Sequence, residues 1–411
     1  SCTWPAESGE PVTAREPRDS WQPRQHGDTP ATTRYAVSGQ VGLVDHHCHT
    51  VVARDLDRPR FEALMTEAAH PAAAGTSYFD SPLGLAIRRW CAPILDVEPG
   101  IDADGYLERR AALGADAANR RLMRAAGLDA LLVDTGLAPK DSASLTDLAQ
   151  MAGAPVHEVV RIERVAEEVL QAITSPTEFT DAFEARLRER AARAVGLKSV
   201  VAYRGGLALA PSPDRRQVES AVEQILRWSG SAVRLEDPSL LRHGLDVAGG
   251  IAAEQGLPVQ FHTGFGDPNL QLDQANPALL TPLLREWGQR GVTVTMLHCY
   301  PYHREAGYLA SVFPHVYLDV GLAISHLGAS SDRVLAESLE LAPFGKHLFS
   351  SDAFGLAELY VVAASLLNRG LRRVLDGWVG AGDCTAGDAD HIYAAISADN
   401  ARRIYPLRPA Q

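Results

Sequence analysis

The residues best suited to chemistry begin in one short stretch, Val44-Asp45-His46-His47-Cys48-His49-Thr50. If this stretch is extended, its side chains alternate between two faces. His47 and His49 then share a face, and both imidazoles can reach one ion. Asp45 falls on the same face and is expected to hold a ring nitrogen. Further along, polar residues stand at the ends of apolar runs: Glu163, Lys198, Tyr203, Arg204, His262, His298 and Asp352. These side chains bind cations, move protons or orient a polar ligand. Imidazole and carboxylate donors suit Zn, Fe, Mn or Ni. A cation with an open position brings the pKa of a bound water to about 7 and polarises a carbonyl. Asp352 is then both a ligand and a proton acceptor. Lys198 has two readings: a carbamate that binds metal, or an ion pair with Glu163.

Such residues need a scaffold that gathers strand ends. After the histidine-rich stretch, seven more apolar runs follow, at 128–134, 156–163, 195–203, 257–263, 292–298, 315–320 and 346–352. Helical segments separate them. Eight strands alternating with helices predict an α/β fold, a parallel (β/α)8 TIM barrel, whose functional residues lie at the C-terminal strand ends. The candidates occupy those ends. The helical stretch 53–126 is longer than an ordinary connection. It predicts an insertion after strand one that caps the barrel and shapes a pocket. Residues 1–40 are rich in Pro, Arg, Gln, Thr and Gly and read as an extended or disordered arm. Residues 41–405 read as one domain. His157, His243, His315 and His347 lie away from the strand ends and read as structural.

Composition narrows the function. Of the 411 residues, 46% are hydrophobic and 22% charged, as expected for a globular protein with a large core. The formal net charge of −12 argues against nucleic-acid or anionic-membrane partners. No apolar run approaches the roughly 20 residues of a membrane span, and Ser1–Pro5 shows no signal-peptide pattern. Five cysteines without CxxC spacing do not make a disulfide scaffold and fit a reducing cytoplasm. A small-molecule substrate is expected, and a homo-oligomer is compatible with these features.

The segments 44–50, 159–170, 196–207, 261–280, 297–310 and 350–360 together resemble the amidohydrolase superfamily. The resemblance is to the branch also found fused to glutamine-synthetase-like domains, and it runs from Gly42 to Asn400. It implies metal binding at His47, His49, His262 and Asp352. It implies a second-metal or substrate role for His298, and bridging or second-metal roles for Glu163 and Lys198. The expected cofactors are two divalent metal ions, zinc or iron, with manganese allowed. The expected activity is metal-dependent hydrolysis of a C–N amide bond, with Tyr203, Arg204 and His303 contacting substrate. The chain departs from the family pattern at His303 and at Gly205-Gly206, both near the expected pocket. The alternative is a non-haem di-iron monooxygenase acting on a carrier-linked, CoA-type small molecule.

Overall fold

The computed structural model describes residues 42–228 and 233–407. The expected arm at 1–40 lies outside these residues. Seven strands form one sheet: β1 (Leu43–Cys48), β2 (Leu128–Asp134), β3 (Val156–Arg161), β4 (Gly196–Ser199), β5 (Val259–His262), β6 (Val294–Leu297) and β7 (Val316–Leu318). Their spatial order follows the chain, and every neighbouring pair is parallel. β5 and β6 pair in register from Val259–Val294 to His262–Leu297.

The eighth run departs from the expected regular strand. It begins with a parallel bridge between Leu318 and His347. The Leu348 amide donates to Leu318 O at 2.9 Å, so the run lies along β7. On its other side, His46 N donates to Phe349 O at 3.0 Å and Asp352 N to His47 O at 3.1 Å. The segment therefore links the sheet's two edge strands, β7 and β1. It leaves extended geometry at Asp352, whose φ is +49°. Two other boundaries also shift. β3 stops at Arg161, and Glu163 lies in the first turn of the helix Ile162–Ala172, where a carboxylate is favoured by the helix dipole. The last part of the helical stretch 53–126 is two helices, Ala103–Leu113 and Ala115–Ala125, broken at Gly114 with φ +79°.

The connection between β1 and β2 contains the helices Arg58–Ala63, Pro82–Trp90, Ala103–Leu113 and Ala115–Ala125. The first three are started by the side chains of Asp57, Ser81 and Asp102, each accepting a hydrogen bond from a backbone N–H in the first turn. This segment is held to the rest of the domain by apolar packing and by one buried polar network. Arg110 Nε donates to Glu358 Oε1 at 2.7 Å, and Tyr106 Oη donates to the same oxygen at 3.0 Å. Arg110 Nη2 also reaches Asn119 Oδ1, and Asn119 Nδ2 donates to Val52 O just after β1. Glu358 opens the long helix Ala357–Ala381, directly after the eighth run. The network thus clamps the connecting helices to both sides of the seam between β1 and that run. Among the described residues, no helix is long and apolar enough to cross a membrane.

Within the sheet, Val44, Leu132, Val159 and Leu348 pack with Tyr405 in a small apolar cluster. Each fully buried apolar side chain contributes roughly 1.5–3 kcal/mol. Against so favourable a core, the buried histidines and carboxylates that gather at the strand ends cost stability, and they call for a functional reason.

Removing the Arg110 charge while keeping its bulk leaves Glu358 buried and unpaired. Arg110→Met should destabilise the fold by roughly 3–5 kcal/mol, read from urea denaturation. The double variant Arg110→Met/Glu358→Leu should recover much of that loss. A wild-type denaturation midpoint for the single variant would show that the clamp is dispensable.

Candidate metal centre

β1 delivers His47 and His49 to the C-terminal end of the sheet, where both side chains are buried. A hydrogen-bond partner behind each ring fixes its tautomer. Gln260, on β5, donates its amide N–H groups to His46 O at 2.7 Å and Tyr405 Oη at 3.0 Å. Its Oε1 is therefore turned to His47 Nδ1, at 2.8 Å, and that nitrogen carries the proton. His49 Nδ1 lies 3.2 Å from the carbonyls of both Asp134 and Leu137, which can only accept. Both rings thus direct Nε2 inward, and in the neutral form of each ring that nitrogen carries the lone pair. Asp45 does not perform this task, contrary to the sequence expectation. Its carboxylate accepts from the backbone N–H and hydroxyl of Ser351, which ties β1 to the eighth run.

The inward nitrogens meet Asp352. His47 Nε2 lies 3.1 Å and His49 Nε2 3.6 Å from Asp352 Oδ1. His298 Nε2 lies 3.4 Å from Asp352 Oδ2. Two lone-pair acceptors at such distances repel unless a proton or a cation lies between them. Burial, followed by the nearby Lys198 charge, lowers the His47 pKa to about 3, so the ring does not supply that proton near neutrality. Burial also lowers His298 and His262. For Asp352 burial acts in the opposite sense, but His298, His47 and His49 hold it well below the usual carboxylate range. Asp352 Oδ1 and both ring nitrogens of His298 are buried without a hydrogen-bond partner. Neutral imidazoles around an ionised carboxylate, with orphaned donor atoms, fit a divalent cation. His47, His298 and Asp352 form one group with ligand atoms within 4.8 Å of one another, and His47, His49 and Asp134 form another. His298 and Asp352 both have positive φ, at +68° and +49°. Such strain tends to collect at functional sites.

The remaining sequence candidates surround this set. Lys198 Nζ lies 3.3 Å from His47 Nε2, and burial lowers its pKa to about 8. It does not pair with Glu163. That carboxylate accepts from Ser199 Oγ at 2.6 Å and Val200 N at 3.0 Å through Oε1, while Oε2 has no partner. His262 adjoins the set through His298, with ring centroids 4.8 Å apart, but its Nε2 is turned to Phe265 O at 3.2 Å. Tyr203 lies against the His262 ring at 4.5 Å. A Cβ on Gly266 would sit 1.8 Å from Tyr203 Oη and 3.1 Å from His262 Nε2, so only glycine permits this packing. His303 is placed elsewhere. Its Nε2 is hydrogen-bonded to Glu337 at 2.8 Å, and it does not line the cavity.

The cavity over the centre has a volume of about 420 Å³. Its walls include Leu137, Arg204 and Asp267 from loops after the strands, Arg161 at the end of β3 and His326 on the helix Gly321–Leu327. Several contributors were missed by the sequence reading. Asp134 closes the second apolar run and Asp319 stands next to last in the seventh, so the strand-end rule applied to those runs would have found them. Asp134 is held by Arg161 at 2.6 Å and by the Gly136 amide at 2.8 Å. Asp319 accepts from His46 Nε2 at 2.8 Å and from the His298 amide at 2.9 Å, and so sets the backbone that carries His298. Gln260 lies two residues before His262, on the inward face of the same strand. Glu67 lies outside any strand, and no sequence signal marked it. It lines the cavity with Oε1 3.8 Å from His326 Nε2. Burial, with the charges of Asp352 and Asp267, raises its pKa to about 7.

Gln260→Ala leaves the His47 tautomer unfixed. It should weaken divalent-metal affinity roughly 10- to 100-fold, measured by competition with a chelator; unchanged affinity would remove Gln260 from the supporting shell. Glu67 gives a pH test. Its folded pKa is raised, so its contribution to stability is fully present below its unfolded value and fades as pH climbs through about 7. Glu67→Gln, which stays neutral, should match wild type in acid and exceed it in stability above pH 7. His326, Tyr203, Asp267 and Asp352 stay unchanged in that comparison. A stability difference that does not vary with pH would refute the assignment.

A family model described as Amidohydrolase matches residues 44–407. Protein fluG of Emericella nidulans is 29% identical over 404 residues, covering 89% of this chain and 46% of that protein. The chain thus spans about half the length of the curated relative it matches. Among solved structures, one from Lactobacillus casei described as a metal-dependent hydrolase superposes with a TM-score of 0.78 at 29% identity, covering 89% of this chain and 95% of that one. A glucuronate isomerase from Caulobacter crescentus gives 0.63 at 16% identity, covering 94% and 97%. A uronate isomerase from Thermotoga maritima gives 0.60 at 13% identity, covering 89% and 94%. The two isomerases bear on the fold alone. The comparisons give no support to the di-iron monooxygenase alternative.

Proposed function

The chain belongs to the amidohydrolase family, and on that premise we propose that it is a metal-dependent hydrolase that cleaves a C–N amide bond of a small molecule. The observation that supports this reading is the confrontation of His47 Nε2 and His49 Nε2 with the Asp352 carboxylate, at 3.1 and 3.6 Å. A divalent cation resolves that repulsion. His47, His49, His298 and Asp352 are the residues that would hold it, with His262 adjoining. When bound, the cation supplies Lewis acidity and brings a water's pKa to about 7.

The chain's own groups do the rest. Asp352 takes the nucleophile's proton at Oδ2, the oxygen next to His298 Nε2, and passes it to the leaving nitrogen. Tyr203 and Arg204 orient the substrate from the β4 loop. Leu322 and Phe354 line the cavity and shield the reacting carbonyl from bulk water. The helical segment between β1 and β2 acts as an insertion that shapes this pocket, contributing Leu64, Thr66 and Glu67 to its wall.

Two cations, zinc or iron, belong to this reading, because the donors outnumber what one ion needs. Glu163 Oε2 is buried without a partner, and a Lys198 pKa of about 8 leaves some neutral amine for carbamate formation. His298→Ala should lose about one metal equivalent per chain and most amidase activity, read by elemental analysis and by amine release from an amide panel. An unchanged metal content would make His298 a proton-transfer residue beside a single ion. Chelation should abolish amide hydrolysis, and added zinc or ferrous iron should restore it. Persistent hydrolysis in the chelated protein would sink the metal-dependent mechanism.

A further inference from the structure

The cavity wall carries four arginines: Arg161, Arg164, Arg204 and Arg234. Three have their charge met elsewhere. Arg161 is paired with Asp134 at 2.6 Å, Arg164 with Glu168 at 3.3 Å, and the half-exposed Arg234 with Glu236 at 2.6 Å. Arg204 is different. Its side chain is only 10% exposed, and its ion pair is through Nη2 to Glu167 Oε1 at 3.2 Å. That oxygen also accepts from Leu235 N at 3.0 Å. Arg204 Nε and Nη1 are buried without any hydrogen-bond partner. These two nitrogens carry three of the five guanidinium hydrogens. Leaving such charged donors unmet in a buried place is costly.

Arg204 is also well placed. It directly follows Tyr203, whose ring lies 4.5 Å from that of His262, itself 4.8 Å from His298. The unmet guanidinium therefore belongs to a residue that lines the same cavity as His47, His49 and Asp352. The loop that carries it is fixed. Leu207 N donates to Gln274 O at 2.8 Å, and a Cβ on Gly206 would come within 2.8 Å of Gln274 Cβ.

We propose that the substrate carries a carboxylate, bound by Arg204, at a fixed distance from the bond that reacts at the centre. The unmet N–H donors on Arg204 Nε and Nη1, beside its pair with Glu167, match the two oxygens of one carboxylate. A phosphate dianion would call for a second free cation beside Arg204; Arg161, Arg164 and Arg234 are already paired, and Lys198 is engaged with His47 at the centre, 3.3 Å from its Nε2. The proposal rests on reading this cavity as the substrate site, but not on the reaction performed there. Its test therefore measures binding and not turnover.

The probes are N-acetylated ω-amino acids from acetamidoacetate to 6-acetamidohexanoate. Each is titrated into the metal-loaded protein by calorimetry beside its neutral N-alkylacetamide counterpart, with inorganic phosphate as a further probe. At the best chain length the carboxylate should bind roughly ten- to a hundredfold tighter than the neutral compound. Arg204→Gln should erase that gap with metal content unchanged, and Arg204→Lys should keep part of it. Equal binding of the two compounds by wild type would overturn the proposal without recourse to any variant. So would a gap that survives Arg204→Gln, or an Arg204-dependent preference for phosphate. A gap that persists in a protein unable to hydrolyse amides would sink the proposed activity and leave the carboxylate subsite standing.

Discussion

The arrangement depends on an unfavourable contact. Two imidazole nitrogens and a carboxylate are brought together in a buried place, with the far side of each ring already satisfied. The Gln260 amide and the Asp134 and Leu137 carbonyls hold the rings from behind. The cost of gathering them is met by the fold and not by the groups themselves. β1 and the eighth run lie side by side, and the Ser351–Asp45 hydrogen bonds fix their register where His47 faces Asp352. A slip of one residue along that seam would turn the histidines to the opposite face. The polar clamp around Glu358 lies at the same seam, and this gives the connecting helices a reason to be anchored there.

A second layer of constraint acts through Asp319. Its carboxylate holds His46 by the ring and His298 by the backbone amide. His46 in turn contacts Tyr405 Oη at 2.9 Å, and Tyr405 also meets Gln260. A single hydrogen-bonded chain therefore passes from the end of β7 through the middle histidine of β1 to the amide that orients His47. The middle histidine looked idle in the sequence, because it points away from its two neighbours. Its role is to carry positional information between strands that are far apart in sequence. Each member is buried and satisfied, which is the condition under which a polar network stiffens a core instead of weakening it.

The parts of the fold that were legible follow from periodicity. Apolar runs of strand length separated by amphipathic helices leave little choice beyond consecutive parallel strands. The strand-end rule then located His47, His49, His298 and Asp352 near one another without any contact information. It erred where local chemistry overrides the run. Glu163 belongs to a helix start because its carboxylate suits the dipole there, and 346–352 is irregular because Asp352 adopts a left-handed backbone. Asp45 was misread because alternation gives a face but not a partner. Ser351 competed for that carboxylate from a segment 306 residues away. Glu67 was invisible, since its significance comes only from the cavity it lines beside His326.

The charge pattern of the cavity is the last element that composition concealed. A chain with a net charge of −12 repels anions at long range, yet the cavity wall carries four arginines, each paired with a carboxylate of its own. Long-range charge is screened over about a Debye length, roughly 8 Å at physiological ionic strength. Selection of a substrate inside the cavity is thus left to the few groups it touches. The centre needs anionic and neutral donors to hold cations, and these would attract a second positive charge as readily as the first. A single arginine with unmet N–H donors, in the cavity wall but outside the metal-donor set, orients a substrate without competing for the metal donors. The separation of these two sites of opposite sign determines which end of a substrate faces the centre, and it does so with groups that the sheet and its loops already hold in place.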